Sequence, residues 1–394
     1  MSGWIWLLSG LAMLIWIGLL TVWGSFWIAS QKLPTQPEAI LTPPAPMPWP
    51  TVAIVIPARN EAALIESMLQ AHLTQDYSGV YQIILVDDQS ADGTAAIAAN
   101  TAESSNASDR LTILTGEPLP PGWTGKLWAM EQGFRHLVDW DTPPDYILLT
   151  DADIAHDRAS LRRLVTKAIA ADLDLVSLMV RLRCDSVWEQ MLIPAFVFFF
   201  QMLYPFPWVN DPQKSKAAAA GGCMLLRFSA LQRIDGLKSI RSALIDDCAL
   251  GTAIKAGGPI WLGLSADVQS LRPYPDLAAI WQMVARSAYA QLGYSPWLLA
   301  GTVLGMVLVY EVPLLAIGIG LYSASPGLVL IGLGSWLLMA IAYWPTVKFY
   351  AVSPLLTLAL PAIAALYTAM TIDSARRHWL GKGGAWKGRI YPTS

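Results

Sequence analysis

A short acidic run, Thr150-Asp151-Ala152-Asp153, directly follows an apolar stretch, Tyr146 to Leu149, that is typical of a buried strand. Two carboxylates two residues apart at the carboxyl end of a strand suit Mg²⁺ or Mn²⁺ carrying a diphosphate. Ligands of open α/β sheets bind at that end of the strands. A lone D-x-D is also common in solvated turns, so this pattern gains weight only from similar clusters elsewhere.

Two more polar clusters follow predicted strands. Arg59-Asn60-Glu61 comes after the β-branched run 52–56, and Asp87-Asp88 comes after the apolar run 83–86. Each cluster taken alone could be an ordinary turn or could cap the next helix. Together they bring acids to one edge of a sheet, where negative charge repels unless a cation or the donors of a ligand satisfy it. The three clusters therefore predict a ligand site.

Three features later in the chain could complete such a site. Gly221-Gly222 either forms a β-bulge or lets backbone approach a ligand closely. Asp246-Asp247 could sit at a helix start, and like-charge repulsion between the two acids would raise the pKa of one of them. Lys126 follows the segment 121–125 and is either a ligand contact or a surface lysine.

The order of predicted elements indicates the fold class. Strands are expected over 52–56, 83–86, 111–114 and 146–149, and helical patterns separate them. Strands that alternate with helices, with polar clusters after each strand, predict a Rossmann-like α/β domain over residues 51–296.

The composition indicates that much of the chain lies in lipid. Of the 394 residues 54% are hydrophobic and only 14% are charged, against about 25% charged in typical soluble domains. The net charge of −3, with no basic block in the middle of the chain, argues against nucleic-acid binding. Cys184, Cys223 and Cys248 show no metal-site spacing, so reduced thiols are expected rather than a disulfide or zinc.

The N-terminal residues predict a membrane anchor. Residues 1–31 carry no charged side chain, and the apolar stretch is too long for a cleaved signal peptide. Residues 32–50 are rich in proline and predict a linker. Residues 188–209 are apolar but contain glutamate, glutamine and proline, which leaves a segment lying on the membrane and a buried helix as two open interpretations.

The C-terminal region, residues 297–373, predicts about three transmembrane or re-entrant helices, at 297–322, 326–347 and 354–372. Glu311 interrupts the first of them, which suggests a kink or a re-entrant turn. The basic tail, residues 374–394, is expected in the cytoplasm by the positive-inside rule. Three full spans would put this tail opposite a cytoplasmic domain, so either one segment is re-entrant or one span is miscounted.

At this point the motifs resemble a known family. The series V-x-I-V-I-P-A-R-N-E, V-D-D-x-S-x-D-G-T, T-D-A-D and D-D, from Val52 to Tyr294, is similar to family 2 glycosyltransferases of the GT-A fold. The segment P-G-W-T-G-K-L-W-A at 121–129 resembles the hopanoid-biosynthesis-associated members, and ceramide glucosyltransferases are a more distant resemblance.

The resemblance implies roles for residues of the donor site. It places the nucleotide-sugar against Lys126 in the G-K-x-x-A segment and against residues that follow or end the strands: Pro57, Ala58, Glu61, Asp87, Asp88 and Asp151. Asp87 and Asp88 are not distinguished as the partner of the uracil. Asp153 is implied as the metal ligand, for Mg²⁺ or Mn²⁺. Arg286 is implied at the diphosphate, although the family's (Q/R)-x-x-R-W motif is imperfect here.

The resemblance also implies the acceptor side of the reaction. Gly221 and Gly222 match the glycine-rich strand near the acceptor, and Asp246-Asp247 matches the acidic pair whose second member is the general base. The reaction is then an inverting transfer of a hexose from a UDP-sugar to a membrane lipid, such as a hopanoid. The enzyme is expected in the bacterial inner membrane with its catalytic domain facing the cytoplasm.

Other functions remain open at this stage. The acceptor could instead be a polyprenyl phosphate or diacylglycerol. A transporter would be expected to carry more spans, and a non-catalytic scaffold would be expected to lose acids from the clusters. A nucleotidyltransferase would be expected to show a glycine-rich phosphate loop near the first strand.

Overall fold

The computed structural model describes residues 2–34, 48–381, 385–386 and 389–390. An eight-stranded mixed sheet forms its centre, and a two-stranded hairpin follows near the C-terminus. The strands are β1 Val52–Ala58, β2 Tyr81–Asp87, β3 Leu111–Thr115, β4 Tyr146–Thr150, β5 Ile154–His156, β6 Leu175–Arg181, β7 Cys223–Arg227, β8 Ile260–Ser270, β9 Ala385–Trp386 and β10 Arg389–Ile390.

The sheet order is β3-β2-β1-β4-β7-β6-β8-β5. Strands β3, β2, β1 and β4 run parallel, so their carboxyl ends meet at one edge. Strand β7 runs antiparallel to both β4 and β6. The first residues of β7 therefore come back to the edge where β4 ends, with Cys223 opposite Thr150. The four predicted strands and the α/β class are confirmed.

Fifteen helices accompany the strands in the described part of the chain. They are α1 Ser2–Thr21, α2 Ile65–Leu73, α3 Thr94–Ser104, α4 Gly125–Val138, α5 Ser160–Ala170, α6 Val187–Leu203, α7 Phe206–Asn210, α8 Phe228–Arg233, α9 Asp246–Lys255, α10 Leu277–Ala285, α11 Ala288–Gln291, α12 Pro296–Met306, α13 Val312–Tyr322, α14 Pro326–Tyr350 and α15 Leu360–Trp379.

Apolar side chains on both faces of the sheet explain its position in the core. Every residue of β1 is buried, as expected for a parallel strand covered on both faces. Helices α2, α3 and α5 cover one face, and α4, α6 and α9 cover the other. Helix α4 lies so close to β1 that a Cβ added to Gly133 would stand 2.5 Å from Val55 Cγ1. Glycine at this position lets α4 pack directly on the strand.

Three helical segments are long and apolar enough to cross a membrane: Gly3–Thr21, Pro296–Tyr322 and Pro326–Tyr350. The third predicted C-terminal stretch, 354–372, is not one of them. It forms a short 3₁₀ turn and then α15, which carries Asp373, Arg376 and Arg377. The chain after α14 turns back along this helix, since Trp336 Nε1 donates to the Leu358 carbonyl at 3.0 Å. Of the three stretches predicted as transmembrane or re-entrant, two are therefore long and apolar enough to span, and the third turns back beside α14.

Glu311 does not break the first C-terminal span. Residues Val307–Glu311 form a π-helical turn between α12 and α13, and Pro313 lies in the first turn of α13. Proline lacks a backbone N–H and crowds the preceding turn, and a wider π turn is a known way for a helix to absorb such a break. The kink interpretation is thus correct in position, and the helical path continues to Tyr322.

Residues 188–209 form α6 and α7, and the structure favours the buried-helix interpretation. Only Val187 and Leu203, at the two ends of α6, are exposed. The helix packs against the sheet through Ile193 and Val197 and against the apolar helices through Phe198. It therefore joins the α/β domain to the helices that could cross a membrane.

The predicted linker and tail are described only in part. Residues 35–47 lie outside the described residues, but Lys32 forms a backbone bridge with Leu264 and Leu33 is buried. The start of the predicted linker thus belongs to the folded domain. In the tail, α15 extends to Trp379, whereas Lys382 and Lys387 lie outside the described residues.

Two of the four histidines meet in the core under the strand-end edge. The His72 and His156 ring centroids are 4.6 Å apart, and both side chains are buried. Burial lowers the pKa of His72 to about 4 and lowers that of His156 well below its ordinary value. His156 Nε2 lies 3.2 Å from the hydroxyl of Thr150, next to Asp151.

This pair predicts acid sensitivity of the fold. Both histidines have a lower pKa in the folded state than in the unfolded state, so the unfolded state binds more protons as the pH falls below about 6.5. Stability should be complete above pH 6.5 and should fall by about 1.4 kcal/mol per pH unit for each histidine down towards pH 4. Thermal unfolding in detergent between pH 7.5 and pH 4.5 measures this.

A His72→Phe variant should show a shallower loss of stability with falling pH, whereas a His136→Gln variant should follow the wild type. Equal slopes for all three proteins would contradict a role for the buried pair.

Candidate active site

Lys126 lies at the centre of the acidic edge. Its Nζ atom is 2.7 Å from Asp151 Oδ1 and 3.6 Å from Asp246 Oδ2. Lys126 lies in the first turn of α4, Asp151 follows β4, and Asp246 begins α9. One ammonium group thus links three separate elements, and the interpretation of Lys126 as a plain surface lysine is wrong.

Asp247 lies beside this lysine and is held by two backbone donors. The Gly221 N–H donates to Asp247 Oδ2 at 2.9 Å, and the Cys248 N–H donates to Oδ1 at 2.7 Å. A Cβ at Gly221 would lie 3.1 Å from Lys126 Nζ. A glycine here therefore allows the backbone before β7 to approach both groups closely.

Gly222, the last residue before β7, allows a close approach to the end of β4 and to β6. Its carbonyl accepts from the Thr150 hydroxyl at 2.8 Å. A Cβ added at Gly222 would lie 3.1 Å from a methyl carbon of Val180. The glycine pair leads straight into β7, so it marks a close approach between β7 and β4 rather than a bulge.

The charges around Asp247 set its proton affinity. Burial and then the neighbouring Asp246 carboxylate raise the pKa of Asp247 to about 6, although the Lys126 ammonium opposes this rise. Burial also raises the pKa of Asp151, against the effect of Lys126. Burial alone would lower the pKa of Lys126, but the Asp151 and Asp246 carboxylates outweigh it and raise that pKa. Lys126 therefore stays charged, and Asp247 can exchange a proton near neutral pH.

A second cation, Arg272, joins two more of the predicted residues. Its Nε atom donates to Asp153 Oδ2 at 2.5 Å, and its Nη2 atom donates to Glu61 Oε1 at 2.8 Å. Asp153 and Glu61 are both nearly buried, whereas a third of the Arg272 side chain is exposed. Arg272 lies just after β8 and thus bridges the ends of β1 and β4 from a distant part of the chain.

The end of β2 joins the site through Asp88. The Asp88 side chain is fully buried, its N–H donates to the Ala58 carbonyl at 2.8 Å, and Arg59 Nη1 donates to the Asp88 carbonyl. Asp87 is partly exposed, and its Oδ1 accepts from the Ser90 N–H at 3.2 Å. The two acids differ in exposure, which the sequence left open.

The ends of β1 and β2 are locked together by short polar side chains. The Glu61 N–H donates to the Thr94 hydroxyl, and the Ala62 N–H donates to Asp92 Oδ2. Pro57 and Ala58 are the last residues of β1 and are buried. The polar cluster after β2 therefore fixes the cluster after β1. The N-cap of α3 is Gly93 without a side-chain capping bond, although Asp92 Oδ1 accepts from the Thr94 N–H at 3.1 Å.

The role expected of Arg286 at the diphosphate stays a prediction. Arg286 follows the last residue of α10 and is exposed, and the arginine paired with the strand-end acids is Arg272. Arg272 is not predicted from the sequence, because the family motif that contains an arginine falls on the later helix, at Arg286. A basic residue directly after the last long apolar strand was the available signal.

The described residues fit a divalent cation only in a limited way. No three His, Cys, Asp or Glu side chains converge on a point within the described parts of the chain. Mg²⁺ commonly uses one or two carboxylates and takes phosphate and water for the rest. Asp153 can serve as such a ligand once Arg272 releases it, because a guanidinium and a divalent cation on the same carboxylate repel each other.

The chain was compared with known families and proteins. Residues 53–235 match the family model described as Glycosyl transferase family 2, which identifies this part as a glycosyltransferase domain. A mannosyltransferase from Pyrobaculum calidifontis, solved with GDP-Man and Mn²⁺, superposes with a TM-score of 0.54 at 19% identity. The superposition covers 95% of this chain and 99% of that one, which confirms the GT-A fold together with the apolar helices.

Two curated relatives match shorter stretches. The undecaprenyl-phosphate 4-deoxy-4-formamido-L-arabinose transferase of Sodalis glossinidius (strain morsitans) is 29% identical over 143 residues, which are 36% of this chain and 40% of that protein. An N-acetylglucosaminyltransferase of Mesorhizobium japonicum is 40% identical over 67 residues, 16% of each chain. The chain thus spans less than half the length of each of these relatives.

The double ion pair of Arg272 yields a stability prediction. Arg272→Gln leaves two nearly buried carboxylates without their cation, so the free energy of unfolding should fall by about 2 kcal/mol. Millimolar Mn²⁺ should restore part of this loss in the variant, because Asp153 is then open to a metal. Thermal unfolding with and without Mn²⁺ measures both effects.

Arg183→Gln is the matched control, since Arg183 pairs with the exposed Asp185. Exposed pairs contribute at most about 1 kcal/mol, and Mn²⁺ should not change the stability of this variant. If the two variants lose the same stability and respond alike to Mn²⁺, the pairing of Arg272 is not significant.

Proposed function

We propose that this chain is an inverting, metal-dependent glycosyltransferase that moves a hexose from a UDP-sugar to a membrane lipid. The observation that carries the proposal is the position of Asp247, a partly buried carboxylate in the first turn of α9 that is held by the Gly221 N–H beside Lys126 and whose pKa is raised to about 6. A general base works best when its pKa lies near the working pH.

In this mechanism Asp247 takes the proton of the acceptor hydroxyl as its oxygen attacks the anomeric carbon. The bond from that carbon to the donor diphosphate breaks on the opposite side, so the configuration inverts. Backbone donation from Gly221 and Cys248 fixes the carboxylate in place. The Lys126 ammonium offsets the negative charges of the neighbouring Asp246 and Asp151. Asp247 is then the acid that accepts the proton.

The donor would bind at the ends of β1, β2 and β4. Glu61, Asp87 and Asp88 would border the nucleotide with Pro57 and Ala58, as the resemblance to family 2 enzymes implies. A divalent cation held by Asp153 would offset the charge on the departing diphosphate. Arg286, which is exposed, would pair with the diphosphate as the resemblance implies, and Arg272, released from Asp153, would be a second cation for a diphosphate oxygen.

The apolar helices suit an acceptor presented at a bilayer surface. With three spans, α1, α12–α13 and α14, the α/β domain and α15 lie on the same side of the membrane. The basic residues Arg376 and Arg377 at the end of α15 support a cytoplasmic position for both, by the positive-inside rule. This count supports the proposed location, a bacterial inner membrane with the catalytic domain facing the cytoplasm.

The acceptor is proposed as a hopanoid or related isoprenoid lipid. A polyprenyl phosphate is the second candidate, since one relative is named for transfer to undecaprenyl phosphate. The two differ in the group that attacks: a neutral hydroxyl needs a base, whereas a phosphate oxygen is already ionised at neutral pH. Dependence on Asp247 therefore separates them.

Label transfer tests the proposed function. The detergent-purified protein receives Mg²⁺ or Mn²⁺, a panel of radiolabelled UDP-sugars and GDP-mannose, and either a hopanoid-containing lipid extract or undecaprenyl phosphate. Label entering the organic phase from one UDP-sugar, and lost with a chelator, is the expected result. No label and no nucleotide binding with any donor would refute the donor site.

Replacing the proposed base yields a third prediction. Asp247→Asn should lower the transfer rate about 10²–10⁴-fold, the usual contribution of a general base. In the wild type the rate should rise about tenfold per pH unit below about 6 and level off above it, because Asp247 must be unprotonated to act.

Initial rates of label transfer from pH 4.5 to 8 measure this effect. Asp185→Asn, at an exposed acid outside the site, should retain the wild-type rate and profile. A full rate in Asp247→Asn, with donor binding intact, would exclude this residue as the base.

The charge of Lys126 yields a fourth prediction. The Lys126 ammonium lowers the pKa of Asp247, so Lys126→Gln should move the rising limb of the pH–rate profile above pH 6. Lys126→Arg keeps the positive charge and should leave the limb close to that of the wild type. The dependence of kcat on pH from 4.5 to 9, measured at saturating donor, checks this. If the rising limb of the Lys126→Gln profile stays at the wild-type pH or moves lower, Asp247 is not the base whose pKa Lys126 lowers.

A further inference from the structure

A cavity separate from the acidic edge lies where the N-terminal segment meets the end of α14. Its volume is about 530 Å³, within the range of about 300–1,000 Å³ that small ligands occupy. None of the acids of the candidate active site lines it. The lining residues are Ile28, Lys32, Trp344, Pro345, Lys348 and Phe349.

The cavity lies at the level where two candidate spans end. Ile28 and Lys32 follow the segment Gly3–Thr21, and Trp344 and Lys348 lie in the last two turns of Pro326–Tyr350. Tryptophan and lysine are the residues that place the ends of membrane helices at the headgroup region. A molecule in this cavity is therefore at headgroup depth on the side of the α/β domain.

The lining combines positive charge with exposed apolar surface. Lys32 and Lys348 are both exposed, and no acidic side chain of the described residues lines the cavity. Lys32 Nζ stands 5.3 Å from the ring centre of Phe349, which holds the ammonium against the cavity wall. Trp344 and Ile28 are 45% and 46% exposed beside it. Two ammonium groups above apolar side chains match a phosphate group attached to acyl chains.

We propose that this cavity binds the headgroup of an anionic phospholipid, with Lys32 and Lys348 on the phosphate and Trp344 and Ile28 against the upper acyl chains. The bound lipid bridges the N-terminal segment and α14. Because the Lys32 backbone pairs with Leu264 on β8, this bridge also fastens the outer part of the sheet to the membrane surface. The site does not depend on the proposed transfer reaction.

The charges set the expected strength of lipid selection. A lysine near an anionic bilayer surface contributes a gain in affinity of about fivefold, so two lysines together contribute about 25-fold. Binding of phosphatidylglycerol should therefore exceed that of phosphatidylcholine by about this factor. The preference should shrink as the salt concentration rises.

Lipid binding to the full-length protein tests the proposal. Native mass spectrometry of detergent-purified protein, titrated with phosphatidylglycerol or phosphatidylcholine, gives the two affinities. A photoactivatable phosphatidylglycerol then locates the site, and cross-links are expected in peptides that contain residues 28–32 and 344–349. The Lys32→Gln/Lys348→Gln variant should lose the preference for phosphatidylglycerol, and Lys32→Arg/Lys348→Arg should keep it.

Lys167→Gln is the matched control, because Lys167 Nζ also stands over an aromatic ring, at 4.9 Å from Trp261, but on α5 across the sheet. This control should bind phosphatidylglycerol as the wild type does. An unchanged preference in the double glutamine variant, or cross-links confined to other peptides, would overturn the proposal. Displacement by undecaprenyl phosphate or by inorganic phosphate at equal concentration would also overturn it, since the cavity would then select another phosphate.

Discussion

The constraint on which this structure depends is the crowding of carboxylates at one edge of a sheet. Acids from β1, β4 and α9 are partly or nearly buried there, and such charges are costly unless they are paired. Two cations, Lys126 and Arg272, pair with these carboxylates and offset their negative charge. Each cation bridges elements that are distant in sequence. The arrangement holds the strand ends together and keeps the acids ready for a cationic or proton-donating ligand.

The two cations divide the edge into two halves with different chemistry. Around Lys126 the surplus of negative charge falls on Asp247, which raises its pKa towards neutrality. Around Arg272 the acids are neutralised by a guanidinium that also suits phosphate geometry. A half whose acid can exchange a proton and a half whose guanidinium suits phosphate, side by side, fit the proposed transfer from a nucleotide-sugar to a hydroxyl.

The helices that could cross a bilayer are packed against the domain that holds the acidic edge. Helix α6 packs on the sheet with one part of its surface and on the apolar helices with another, so the site and the membrane segments form one packed body. The turn of the chain after α14, fixed by Trp336, returns α15 towards the domain. This turn lets the end of α15 lie on the same side as the α/β domain, which three full C-terminal spans would not allow.

The sequence by itself determined the local features: the parallel strands, the acids that follow them and the N-terminal apolar segment. These follow from short-range patterns, since a buried strand needs a β-branched run and its end needs polar residues. Only the tertiary structure decided which cation meets which acid. Arg272 lies 211 residues from Glu61 and 119 from Asp153, and no local pattern records such a distance. It likewise decided that residues 354–372 turn back along α14, because hydropathy counts apolar residues but does not show what they pack against.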